Sequence, residues 1–147
     1  MDPRSSYREA AVRGATPVRL VILLYEQAIE DLRRALDALR GGNIEARTRA
    51  LNHAILVISH LQASLDKHQG GQVAIHLERF YGQLRAGILE AQAQQSAALI
   101  ESQMSQLMLV YEAWREVERS AETAAPIPQP APTNLASEQP LFTDWKA

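Results

Sequence analysis

The stretch that decides the fold is TPVRLVILLYEQAIEDLRRALDALRGG, residues 16–42. Thr16 offers a hydroxyl to free backbone N–H groups, and Pro17 fits the first turn of a helix, where its missing donor costs nothing. Ile22, Tyr25, Ile29, Leu32, Leu36 and Leu39 then recur every three or four residues, which draws an apolar stripe along one helix. Gly41 and Gly42 stop it. Working outward, Asn43 can cap a second helix with the stripe Ile44, Leu51, Ile55, Ile58, Leu61 and Leu65, which ends before Gly70 and Gly71. A third stripe runs through Val73, Leu77, Phe80, Leu84, Ile88 and Ala91. Gln92, Gln94, Gln95 and Ser96 interrupt it, and a fourth follows through Ile100, Met104, Leu107, Tyr111, Trp114 and Val117.

Helices of about 20–25 residues are roughly 30–37 Å long, and the connections between these are short, so neighbours must run antiparallel. The expected fold is all-α, an up-down four-helix bundle over residues 16–120. Residues 1–15, with Tyr7, Ala10, Ala11 and Val12 among charges, are expected as an N-terminal arm or short helix lying on the bundle. Pro126, Pro128, Pro130, Pro132 and Pro140 exclude helix and favour an extended, solvated chain, so residues 121–147 read as a disordered proline-rich tail. Leu141, Phe142 and Trp145 make a small apolar cluster near its end.

At 147 residues the chain is the size of one compact domain, and its 46% apolar content is ordinary for a globular protein. Fifteen Lys and Arg against 17 Asp and Glu leave a net charge of −2, with no general basic footprint for nucleic acid. The absence of cysteine removes disulfides, thiolate metal sites and cysteine nucleophiles together. The longest unbroken apolar run, residues 20–25, is far short of the roughly 18 residues of a membrane span, and residues 1–15 lack the apolar stretch of a secretory signal. The expectation is a soluble, cytoplasmic protein without membrane insertion.

Little in the chain points to catalysis. His53 and His60 share one side of the second helix, but seven residues is about 10 Å of rise, too far to share a metal. No Glu-x-x-His pair precedes any of the four histidines, so no metal or other cofactor is expected. The phosphotransfer alternative, a four-helix bundle with one reactive histidine, fits His60 best. There the next helical turn lacks the Lys and Gly that such a site needs. No glycine loop cradles a phosphate, and no nucleophile-base set stands out, so the chain does not read as an enzyme.

What remains is an apolar excess on faces that the stripes do not use. At roughly 100° per residue, Leu20 and Leu23 project about 140–160° away from Tyr25, and Leu56 lies opposite Ile58. Ile75, Leu89 and Leu109 are likewise off their stripes. Two readings stay open at this level. The helices are covered on more than one side, with a few scattered surface leucines, or the outliers line a groove that receives an amphipathic segment from another chain.

The succession of residues resembles a known family, the flagellar secretion chaperones called FliS. The similarity runs through Tyr7, Ala15, Thr16 and Pro17, then Leu24-Tyr25-Glu26-Gln27-Ala28-Ile29, Leu32 and Ala35, and the Gly41, Gly42, Asn43 turn. It continues through Ala54, Val57, Ile58, Leu61, Ser64-Leu65-Asp66, Gly70-Gly71-Gln72-Val73-Ala74, Leu77, Tyr81 and Leu84 to Ala113 and Trp114. The chain departs from the family at Gln27, where glycine is usual, at His60, where glutamate is common, and at Gln94 and Gln95, where an acidic residue is common. The proline-rich tail lies outside the resemblance.

The resemblance implies a non-enzymatic bundle that binds the disordered C-terminal region of flagellin, prevents its premature polymerisation and hands it to the type III export apparatus. It also implies that the N-terminal arm covers part of the binding surface and moves when flagellin arrives, with Tyr7 as its anchor. The expected contact residues are Tyr7, Leu20, Leu23, Leu56 and Val57, with Ile75, Leu89 and Leu109 as weaker candidates. The expected partners are the flagellin C-terminal segment and export-gate components, and the expected state is a monomer or weak dimer. A general helical regulatory scaffold without flagellin specificity is the remaining alternative.

Overall fold

The computed structural model describes residues 16–124, which form four helices and no strand. These are α1 (Pro17–Arg40), α2 (Ile44–Ala63), α3 (Lys67–Gln94) and α4 (Ala97–Ala124). The expected all-α four-helix architecture is what the chain adopts. The arm at 1–15 and most of the tail lie outside the described residues; positions 121–124 continue α4. The described residues fall into two compact units that divide within α4, between Trp114 and Arg115.

Local chemistry sets the helix ends. Thr16 Oγ1 accepts from the Arg19 N–H at 3.1 Å, and Asn43 Oδ1 accepts from that of Ala46 at 3.0 Å. Between them, Gly42 takes a φ of 73° and the Asn43 N–H returns to the Ala38 carbonyl at 2.8 Å. The left-handed turn satisfies the last carbonyls of α1. The boundary between α2 and α3 falls earlier than the expected Gly70 and Gly71 break. Asp66 Oδ1 accepts from the N–H groups of His68 and Gln69, both at 3.1 Å, and starts α3 four residues before Gly70. Gly71, with φ 55° and ψ −134°, is instead a kink inside α3. The interruption at 92–96 resolves to Gln95, which takes the left-handed conformation at φ 52° and ψ 47°. Ser96 then caps α4 through its Oγ, which accepts from the Leu99 N–H at 3.1 Å.

Within the first unit, contacts that cross the helices fix an up-down-up-down course. Asp31 meets His53, Gln62 meets Glu78, and Arg40 and Glu26 meet Glu101 and Tyr111, so numbers rise on one helix as they fall on its neighbour. Tyr25 and Tyr81 join the parallel pair α1 and α3. The core draws on all four helices, with Leu32, Leu51, Leu84 and Leu107 among its inaccessible side chains.

Three stripe positions are corrected by the structure. Ile44 is exposed because it opens α2 beside the turn at the tip of the bundle. Val73 is exposed at the start of the helical run that follows the kink at Gly71, about 100° from the inward line through Ala74, Leu77, Tyr81, Leu84, Ile88 and Ala91, and Phe80 is only half-buried. Val117 is exposed in the second unit, where residues 115–124 are held by local contacts such as Arg119 to Glu116 at 2.6 Å.

The buried polar link of the core is the Tyr25 and Tyr81 pair. The hydroxyls lie 2.8 Å apart and the rings meet edge to face with centroids 6.2 Å apart. Burial raises the pKa of both phenols, so both stay protonated.

Two outcomes are expected. Tyr25→Phe strands the Tyr81 hydroxyl, at a cost of about 1–3 kcal/mol in urea unfolding. Tyr81→Phe strands the Tyr25 hydroxyl at a similar cost, and the double variant loses less than the sum of the two. Gln95→Gly removes a left-handed side-chain penalty and raises stability by about 0.5–1 kcal/mol, read as a higher urea midpoint.

Candidate functional site

The five expected contact residues divide when placed on the fold. Leu56 is 44% exposed on α2 and Leu23 is half-buried on α1, so both reach the surface. Val57 has no accessible surface, and Leu20 retains only 8%. Both are therefore corrected as surface contacts. Val57 continues the buried spacing of Leu51, Ala54, Ile58 and Leu61 on α2. Leu20 begins a second buried line on α1, followed by Leu24, Ala28, Asp31 and Ala35. Tyr7 lies outside the described residues.

Beyond Leu56, the outward apolar side chains are those that the helical wheel left over. Ile75 is 42% exposed, Leu89 58% and Leu109 76%. Met108 joins them beside a cleft of about 280 Å³ between α1 and α4, lined by Ile29, Met108 and Tyr111 and rimmed by Glu26, Glu30, Arg33 and Glu112. Tyr111 donates its hydroxyl proton to Glu26 across this cleft at 2.7 Å. Met108 is not one of the stripe residues of α4, which run through Met104, Leu107 and Tyr111. It follows Leu107, which does face the core, and a single residue step of about 100° turns it outward.

A second cleft, of about 250 Å³, opens between α1 and α2 around a polar pair that periodicity alone does not reveal. His53 Nδ1 and an Asp31 carboxylate oxygen share a hydrogen bond at 2.6 Å, and Gln27 donates to the other carboxylate oxygen at 3.0 Å. Arg34 and Arg49 line the same cleft. Asp31 sits on a helix line that is otherwise apolar, and it is nearly inaccessible. Burial raises its pKa, while the bond and charge of His53, the Gln27 bond and the Arg34 charge pull it back. His60, the candidate for phosphotransfer, is half-buried on α2. Among the described residues, no group of three or more His, Cys, Asp or Glu is placed to hold a metal ion, and no helix is long and apolar enough to cross a membrane.

The raised pKa of Asp31 has a definite sign in stability. The folded state holds this proton more tightly than the unfolded chain, whose carboxyl titrates near 3.8. Its contribution is complete below that pH and is lost as the pH rises through the folded pKa. Asp31→Asn removes the titration. Urea unfolding between about pH 3.5 and pH 7 is expected to show wild type losing stability relative to the variant as the pH rises.

The family profile described as flagellar protein FliS matches residues 1–121. The flagellar secretion chaperone FliS of Salmonella typhimurium is 33% identical over 114 residues, which cover 77% of this chain and 84% of that protein. The flagellar secretion chaperone FliSB of Pseudomonas aeruginosa is 31% identical over 106 residues, covering 72% and 84%. That of Campylobacter jejuni is 29% identical over 121 residues, covering 82% and 94%. Each of these relatives is named a flagellar secretion chaperone. A four-helix chain that matches the family profile from its first residue to position 121, and two relatives at above 30% identity, belongs to the FliS family of flagellar proteins.

Proposed function

We propose that the protein is a flagellar export chaperone that holds the disordered C-terminal region of flagellin in an apolar groove on its surface. It thereby prevents polymerisation in the cytoplasm and brings flagellin to the export-gate components of the type III apparatus. The observation that carries this reading is the set of large apolar side chains left outside a bundle whose own core is complete: Leu56, Ile75, Leu89, Met108 and Leu109. A closed core has no use for them, and water-exposed leucine surface is offset only when something covers it. A chain that is unstructured alone and amphipathic when packed is a suitable cover, because its ordering cost is met by burying its apolar face on binding.

Leu23 and Leu56 are the contacts we assign to this surface, with Tyr7 as an anchor from the arm. Leu20 and Val57 act beneath it, as packing that holds α1 and α2 in place.

In isothermal titration, a peptide from the flagellin C-terminus is expected to bind wild type. Leu56→Asp and Leu23→Asp weaken that binding about tenfold or more, a loss of about 1.4 kcal/mol each. Helicity and melting temperature of Leu56→Asp stay near wild type, because its side chain is largely in solvent. No binding by wild type overturns the reading. Equal capture of a flagellin lacking its C-terminal segment replaces it with that of a general helical scaffold.

A further inference from the structure

Ala46, Arg49, Ala50 and His53 stand at i, i+3, i+4 and i+7, which puts them on one face of α2, and Asp31 and Arg34 stand across from them on α1. The two alanines furnish that face with methyl groups only, and the space left open is the cleft of about 250 Å³ between the helices. None of these residues belongs to the apolar set assigned to flagellin. Among the described residues, the hydrogen-bond donors of this cleft outnumber their acceptors. Arg34 spends Nε on Glu30 at 3.2 Å, and its two terminal amino groups have no acceptor. The Arg49 guanidinium comes no nearer to Glu45 than 3.8 Å, beyond hydrogen-bond reach, so its N–H groups lack one too. His53 commits Nδ1 to Asp31, and its buried Nε2 has no partner.

We propose that this cleft binds a phosphate group, held between the guanidiniums of Arg34 and Arg49 with His53 Nε2–H as a third donor. A phosphate brings several acceptor oxygens and, as a monoester, a charge of about −1.5 to −2 at pH 7, and guanidinium forks match it in both shape and sign. Asp31, at the inner end, does not oppose it. Both of its oxygens are already bonded, one to His53 and one to Gln27. A His53 that donates from both nitrogens is protonated, so its pair with Asp31 is neutral. Glu30 and Glu45 are the other acids at hand, and each is tied to an arginine at the surface, where such pairs contribute little and yield to a better-placed anion. Arg33 offsets Glu30 a second time at 2.9 Å.

A phosphate seated there ties α1 to α2 through one guanidinium from each helix. It binds the folded bundle and not the unfolded chain, in which Arg34 and Arg49 are far apart, so occupancy also stabilises the fold by mass action.

Nitrogen NMR of the full chain with isotope-labelled histidine reads the site directly, the His53 signals being identified by their loss in His53→Gln. Inorganic phosphate and phosphoserine are each titrated at constant pH and ionic strength, with chloride and acetate as controls. A saturable shift of the His53 ring nitrogens is expected with one or both phosphates, and the tighter binder tells free phosphate from a phosphate ester. Acetate, with fewer oxygens and less charge, is expected to bind about tenfold more weakly. Arg34→Gln and Arg49→Gln each raise the apparent Kd about fivefold or more. Both side chains are largely in solvent, so circular dichroism is expected to show unchanged helicity in these variants. A His53 signal that neither phosphate moves overturns the proposal. So does one that chloride or acetate moves equally, and so does a shift undiminished in both folded arginine variants.

Discussion

The burial of α1 on two sides at once is the constraint on which the rest of the bundle depends. Ile22, Tyr25, Ile29, Leu32 and Leu36 form one inward line, and Leu20, Leu24, Ala28, Asp31 and Ala35 form another. A helix with a single apolar stripe needs one partner surface, whereas one with two must be enclosed by several helices. α2 packs along it through Asp31 and His53, α3 reaches it through the tyrosine pair, and α4 through Arg40 with Glu101 and Glu26 with Tyr111. Each large aliphatic side chain buried this way contributes about 1.5–3 kcal/mol, so the two lines hold the other helices around α1 without any disulfide or metal.

Polar groups inside such an interior need partners, and those found here also set the register. The tyrosine hydroxyls satisfy each other in a dry core, and Asp31 is answered by His53 and Gln27 from one edge of it. At the contact of α3 with α4, Gly87 serves the same precision by sterics. A methyl group there would meet the amide end of the buried Gln103 side chain, which would have to shift to admit it. A sliding of either helix by one turn would break these contacts together.

Much of this was legible before any coordinates. Thr16, Pro17, Gly42 and Asn43 carry their capping roles in their chemistry, and the three-and-four spacing through Leu32, Leu51, Leu84 and Leu107 marks the core side of each helix. Leu56, Ile75, Leu89 and Leu109 were legible as outliers for the same reason. Leu20 and Val57 were not, because a helical wheel assumes one partner per helix and both residues lie where a second buried line runs. Nor was the exposure of Val73, which follows the kink at Gly71 and sits about 100° from the inward Ala74.

By itself, then, the order of residues determined the number of helices, most of their ends, the antiparallel course that short connections force, and the family. These are local or periodic properties, readable within a turn or two of chain. Only tertiary structure decided which outliers stay in water, that Asp31 would find His53 and Tyr25 would find Tyr81, and that α3 would keep a second face uncovered. Those depend on which side chains from distant segments arrive at the same place, and a one-dimensional period holds no information about distance between helices.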